Sequence, residues 1–365
     1  MRLTLLIAVL FTTAKAAAIP SIDSVRGEKV FQERGCSGCH NAPGTGVKSA
    51  PDVGASIDRN FTPAMLAATM WNHAPTMWSA MGQRGTPIPQ LSEQEAGDLF
   101  AFFYSSRYFD RPGDAARGKR IFTAKHCADC HGLTNPGPGG ALPLSEWRSL
   151  QSSIALAQAM WNHAGRMKEQ FDRSNIPWQP LVAQELTDIF VYARSVPAIR
   201  GQKTSFELAS GDRGAEIFAE KGCAGCHKGE LALEGRLQDK TVLEIAVAMW
   251  NHAPKMSPGA AQRFEPGEMG QLLNYLWARP FFAGGGDAGR GHKVFVAKGC
   301  GSCHFDRTSG APDLSKLKGN FDAIAMVSAL WRHGPIMLER MKQKNVAWPR
   351  FEGREMSDMI AYLNH

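Results

Sequence analysis

Eight cysteines and four histidines stand in this chain at a spacing suited to one kind of chemistry. They form four C-x-x-C-H runs: CSGCH (Cys36 to His40), CADCH (Cys127 to His131), CAGCH (Cys223 to His227) and CGSCH (Cys300 to His304). Two thiols three residues apart can add to the two vinyl groups of one haem. The next-residue His then lies beneath the porphyrin and donates a ring nitrogen to the iron. Zinc also takes Cys and His, but a zinc reading leaves each site with three ligands, one short of a closed structural site. All eight cysteines lie in these motifs, so none remains for a disulfide. The residues therefore read as four sites for covalent haem c. Cys36, Cys39, Cys127, Cys130, Cys223, Cys226, Cys300 and Cys303 are the attachment thiols, and His40, His131, His227 and His304 the iron ligands.

These sites need elements to hold them, and the chain repeats those elements too. The first cysteines sit at 36, 127, 223 and 300, which is domain-sized repetition. Each repeat opens with a Gly four residues before a Phe: Gly27/Phe31, Gly118/Phe122, Gly214/Phe218 and Gly291/Phe295. The run around that pair reads as a short amphipathic helix ending at Gly or at the haem turn. A middle loop rich in Gly and Pro follows. A second helix then carries LAATMWNH, LAQAMWNH, IAVAMWNH or MVSALWRH. Pro75, Pro254 and Pro335 come two residues after its His, and the residue before Pro disfavours α geometry, so this helix is expected to end there. In the second repeat Gly165 suits the same end. A third helix closes each repeat, with Phe102, Tyr192, Tyr275 and Tyr362 in register. These aromatics are expected to pack on the opening helix. The boundaries give a segment 1–18, then domains 19–111, 112–200, 201–283 and 284–365. The middle linker, around 200–211, is the longest and is expected to divide the chain into two pairs of modules.

Residues 1–18 look like an export signal. Arg2 supplies the charge, Leu3 to Phe11 the apolar run, and Ala14-Lys15-Ala16 or Ala16-Ala17-Ala18 the small residues for cleavage. That apolar run is under half of the ~20 residues a membrane span needs. An exported, periplasmic protein is expected, where attachment of this haem type is completed. The formal charge of +7 is not a nucleic-acid signal. Without Arg2 and Lys15 it becomes +5, and the eight propionates of four haems would bring it to −3.

An opening helix, C-x-x-C-H, a second helix with a downstream Met and a closing helix with an aromatic-Leu type ending resemble class I cytochrome c, over about Ser24 to His365. The resemblance implies an all-α fold of four tandem small domains, each wrapped around one haem. It also implies electron transfer, with His below the iron and Met above it. The family's loop usually shows Met followed by Pro, whereas here the recurring pattern is W-x-H-x-x-x-M. Two sets of sixth ligands are in register. Met77, Met167, Met256 and Met337 match the family's use of sulfur. His73, His163, His252 and His333 precede them by four residues and continue an inward stripe such as Leu156/Met160. Trp71, Trp161, Trp250 and Trp331 are expected to pack on the haem edge or the domain core.

An iron with two protein ligands has no open position for substrate, so the first reading is an electron-transfer protein and not an enzyme. Its partners would be redox protein donors and acceptors, including a membrane respiratory complex, with no nucleic acid. The alternatives are an oxidoreductase with one open-coordinate catalytic haem, or an electron-transfer component of a larger complex. All four repeats keep both candidate ligands, which favours the carrier.

Overall fold

Three of the four opening helices start where a side chain caps them, and all four end where the chain turns left-handed. A computed structural model describes residues 22–41, 49–53, 62–107, 113–197, 199, 212–233, 236–237, 240–256, 262–282, 285–317 and 321–364. Segment 1–18, expected as an export signal, and the whole linker 200–211 lie outside the described residues. Helix α1 (Ser24–Glu33) is capped by Asp23, α4 (Ala115–Ala124) by Asp114 and α11 (Ala288–Ala297) by Asp287. Each carboxylate accepts hydrogen bonds from free N–H groups of the first turn. The third module departs, since α7 (Gly214–Glu220) has no side-chain cap. The haem-motif turns of modules three and four are the short helices α8 (Cys223–Cys226) and α12 (Gly301–His304).

The closing helices are α3 (Glu93–Arg107), α6 (Ala183–Ser195), α10 (Glu268–Phe282) and α14 (Glu355–Leu363). Each packs on its own opening helix, α1 on α3, α4 on α6, α7 on α10 and α11 on α14. The opening Gly makes that approach possible. A Cβ at Gly118 would lie 2.0 Å from the Asp188 carbonyl oxygen, and Gly27 and Gly291 meet Asp98 and Asp358 in the same way. At Gly214 the nearest atom would be Tyr275 Cβ, at 2.2 Å. The aromatics pack beside these contacts, as expected from their register. Phe31 lies 5.3 Å from Phe102, Phe122 5.6 Å from Tyr192 and Phe295 5.2 Å from Tyr362, ring centre to ring centre. In three modules an ion pair fastens the crossing. Arg26 reaches Asp98, Arg117 reaches Asp188 and Arg290 reaches Asp358 with two guanidinium nitrogens each. The same carboxylates accept the backbone N–H of Asp23, Asp114 and Asp287. Gln271 takes the carboxylate's place in the third module.

The second helices depart from expectation. α2 (Pro63–Gln83) and α13 (Ala323–Gln343) run straight past Pro75 and Pro335, and α5 (Ser153–Arg173) runs past Gly165. Only α9 (Val242–His252) ends at its His, followed by a 3-10 turn over Ala253–Lys255. A proline inside a helix frees the carbonyl four residues back and costs about 3 kcal/mol or more. In α2 that carbonyl is Trp71 O, and Trp348 Nε1 donates to it at 3.0 Å. A tertiary partner thus satisfies the group that Pro75 leaves without its helical bond.

The modules pair in an order that the linkers do not suggest. α2 packs on α13 and α5 on α9, so module one meets module four and module two meets module three. The four tryptophans lie at these seams, not on an isolated domain core. Trp161 Nε1 donates to Gln262 O at 2.9 Å and Trp250 Nε1 to Gln179 O at 3.0 Å, while Trp71 Nε1 donates to Pro349 O at 2.8 Å. The neighbouring Asn is bonded twice. Asn162 Nδ2 donates to Phe264 O and its Oδ1 accepts from Phe264 N, both at 2.8 Å. Asn251 does the same to Leu181, and Asn72 to Phe351. Module four has Arg332 at this position, and there Ser328 Oγ donates to Leu91 O instead. Trp71, Trp78, Trp331 and Trp348 form one aromatic cluster across the outer seam, with Trp71 stacked on Trp348 at 5.0 Å. Modules one and three also touch, through Tyr104 and Trp277 at 4.1 Å. Among the described residues there is no strand, only one isolated bridge between His131 and Ala141. The fold is all-α.

Candidate haem-binding sites

A left-handed residue stands immediately before the first cysteine of each motif: Gly35 (φ 79°), His126 (φ 62°), Gly222 (φ 75°) and Gly299 (φ 70°). Glycine adopts this conformation without penalty, which accounts for three of the four. In module two His126 holds it instead, with Nδ1 2.9 Å from Asp129 Oδ2. The chain then makes one tight turn through the cysteines. In every motif the His backbone N–H donates to the first Cys carbonyl, at 2.9 to 3.0 Å. This turn presents two thiols and one imidazole without closing them around a point. Among the described residues no three of His, Cys, Asp and Glu converge as a metal-holding group. Burial pushes the Cys127 thiol up to about 12 and the Cys36 thiol up to about 11, so both are neutral thiols rather than thiolates.

The motif histidines are oriented by their Nδ1 atoms. His40 Nδ1 lies 2.9 Å from Pro51 O, His131 Nδ1 2.8 Å from Leu142 O, His227 Nδ1 3.2 Å from Leu231 O and His304 Nδ1 2.9 Å from Pro312 O. A carbonyl can only accept, so Nδ1 carries the proton and Nε2 keeps its lone pair. Metal-bound imidazoles are commonly held in this way. In module two Trp147 adds an edge contact, 5.3 Å from the His131 ring, and its Nε1 donates to the same Leu142 carbonyl.

The second helix brings another histidine opposite the first. His40 and His73 have ring centres 6.4 Å apart, His131 and His163 6.2 Å, and His227 and His252 6.0 Å. Burial, and the facing motif His, lower the pKa of His73, His163 and His252, which favours the neutral rings. The unbroken helix also keeps Met77, Met167 and Met337 on the face of His73, His163 and His333, since i and i+4 are neighbours. Met77, Met167 and Met256 pack against the hydrophobic core.

Module two shows the space these groups enclose. A cavity of about 1330 Å³ is lined by Phe122, Cys127, His131, Trp147, Met160, His163 and Met167. Sites for drug-sized ligands run to about 300–1000 Å³, so a porphyrin with two apolar faces fits this donor set and this volume. Arg148 and Arg166 also line it, and Arg263 enters from module three. These three cations lie where propionates could be paired. Spacing within one repeat carries no sign of this grouping, because Arg263 belongs to another repeat.

The cytochrome c family model matches residues 24–106 and 115–196. A subunit of the nitric oxide reductase of Stutzerimonas stutzeri is 35% identical over 83 residues, which is 21% of this chain and 54% of that protein. The chain thus spans about half the length of this curated relative. No solved structure matches. Among the described residues, no helix is long and apolar enough to cross a membrane. Domains of this family hold covalent haem c and serve electron transfer. The first two modules, with their thiol pairs, oriented histidines and crossed terminal helices, are therefore cytochrome c domains in tandem.

Proposed function

We propose that the chain is an exported tetrahaem c-type cytochrome that carries electrons between redox proteins. Cys36 and Cys39, Cys127 and Cys130, Cys223 and Cys226, and Cys300 and Cys303 would each hold one haem. His40, His131, His227 and His304 would be the fifth iron ligands. The sixth position falls to the second helix or the turn just after it, which carry both the His set and Met77, Met167, Met256 and Met337. The observation that carries this reading is the fourfold Nδ1-to-carbonyl bond, which leaves Nε2 available in every motif. When bound, such a group supplies one-electron chemistry, tuned by axial ligands, burial and hydrogen bonds. The protein's own residues do the rest. They hold the neutral imidazoles in place, exclude water with the aromatic walls and link the modules through the seams. The domains would be 19–111, 112–200, 201–283 and 284–365, with 1–18 removed on export to the periplasm.

The similarity to part of a nitric oxide reductase supports a respiratory enzyme as one partner, at the membrane or associated with it. The test is the intact mass of the mature protein purified from a host competent in haem attachment. Four covalent haems are expected. A mass with fewer after full maturation would reject the count, and a mature protein that still begins at Met1 would reject the export reading.

A further inference from the structure

We infer that His73, His163 and His252, not the methionines four residues on, are the sixth iron ligands of modules one to three. This rests on the proposal that the C-x-x-C-H motifs hold haem. The argument is one of available distance. A metal–imidazole bond is about 2.0–2.1 Å, and a ring nitrogen lies about 1.1 Å from the imidazole centre. Two imidazoles on opposite sides of one ion therefore have centres about 6.3 Å apart. The observed separations are 6.4, 6.2 and 6.0 Å. A ring that merely packs on a porphyrin face stays about 3.5 Å from that plane. Its centre would then be about 6.7 Å or more from the centre of the motif His. All three rings are closer than packing allows and match ligation.

Module three separates the two candidates. There α9 ends at His252, and Met256 follows a 3-10 turn in extended backbone, φ −77° and ψ 148°. In modules one and two the corresponding Met is inside a continuous helix. The backbone around the Met changes between modules, while the His-to-His separation stays between 6.0 and 6.4 Å. The constant feature is the histidine. The methionines then pack against the core beside the site, a role their flexible thioethers fill well.

The test uses full-length mature protein and three variants' optical and paramagnetic spectra, with intact mass as the haem count. Met167→Leu preserves apolar volume and is expected to keep all four haems low-spin with their axial-ligand signatures intact. His163→Ala is expected to change one haem in four, converting it to a high-spin or methionine-ligated form with a raised potential, since Met ligation raises potential. His163→Lys restores a nitrogen donor and is expected to return that haem to low-spin. Loss of a methionine–iron charge-transfer band in Met167→Leu, with the haem count still four, would overturn the inference and leave the haem reading standing. A wild-type mass lacking the module-two haem would instead reject the haem reading itself.

Discussion

Replacing Asn162 by Ala tests the seam between modules two and three. The change removes one small polar side chain and two hydrogen bonds, both 2.8 Å long, to the backbone of Phe264. Phe264 is only 4% exposed, so water does not readily replace the lost partner. Each hydrogen bond contributes about 0.5–1.5 kcal/mol, and an unsatisfied buried group costs about 1–3 kcal/mol. The seam should weaken by about 2–4 kcal/mol. Hydrogen exchange followed by mass spectrometry reads this by location. Segments of α5, α6, α9 and α10 should exchange up to a few hundred times faster, because 1.4 kcal/mol is a factor of about ten. Segments of α1, α3, α11 and α14 should keep their protection. Asn72→Ala should give the complementary pattern, loosening modules one and four through Phe351. Equal loss of protection in all four modules from either variant would refute the pairing. No loss in any module would refute the energetic role of the asparagines.

Gly118→Ala should prevent α4 and α6 from crossing as they do, since the added Cβ would lie 2.0 Å from the Asp188 carbonyl oxygen. Gly165→Ala meets nothing within 4 Å in the middle of α5 and should stabilise by about 0.5–1 kcal/mol. Thermal melts of the two variants should therefore move in opposite directions. Hydrogen bonding to Arg290 holds the Asp358 carboxyl below its usual range, against the opposing effect of burial. A carboxyl lowered on folding stabilises fully above its unfolded value of about 3.9, and that contribution is lost as pH falls through the lower folded value. Asp358→Asn should accordingly be less stable at neutral pH and show a shallower stability decline below about pH 4 than the parent. A parallel decline in both proteins would remove this carboxylate from the acid response.

Features that repeat and act locally are legible in the residues. The thiol pairs, the motif histidines, the crossing of Gly-bearing and aromatic-bearing helices and the all-α class follow from spacing within one repeat. The end of the second helix does not, because the decisive group lies nearly three hundred positions away. Pro75 reads as a helix stop until Trp348 is seen supplying the missing donor to Trp71. Module three obeys the local rule and ends its helix at His252. The tryptophans are half legible for the same reason. Trp161 and Trp250 are buried in the core as expected, and Trp250 lines the module-two cavity, but only the carbonyls of another repeat show that both also serve a seam. The pairing of modules one with four and two with three likewise has no signature in linker length.

The W-N-H run explains why these requirements are inseparable. Three consecutive residues on a helix point about 100° apart, so they cannot serve one neighbour. In module two Trp161 and Asn162 are bonded to module three, and His163 faces His131 of its own module. The seam and the haem pocket are therefore fixed by the same turn of helix. A shift of α5 along its axis that broke the Asn162 bonds would also move His163 away from His131. Module three carries the mirror arrangement, with Trp250 and Asn251 on module two and His252 toward His227. Each of the two modules thereby positions the second-helix histidine of the other. Module four, where Arg332 replaces Asn, keeps the seam through Ser328 instead, four residues before Arg332 and one turn further from His333. Trp331 on one side of His333 packs against Trp78 of module one, so there the tryptophan, and not the residue in the Asn position, ties this turn of helix to the seam.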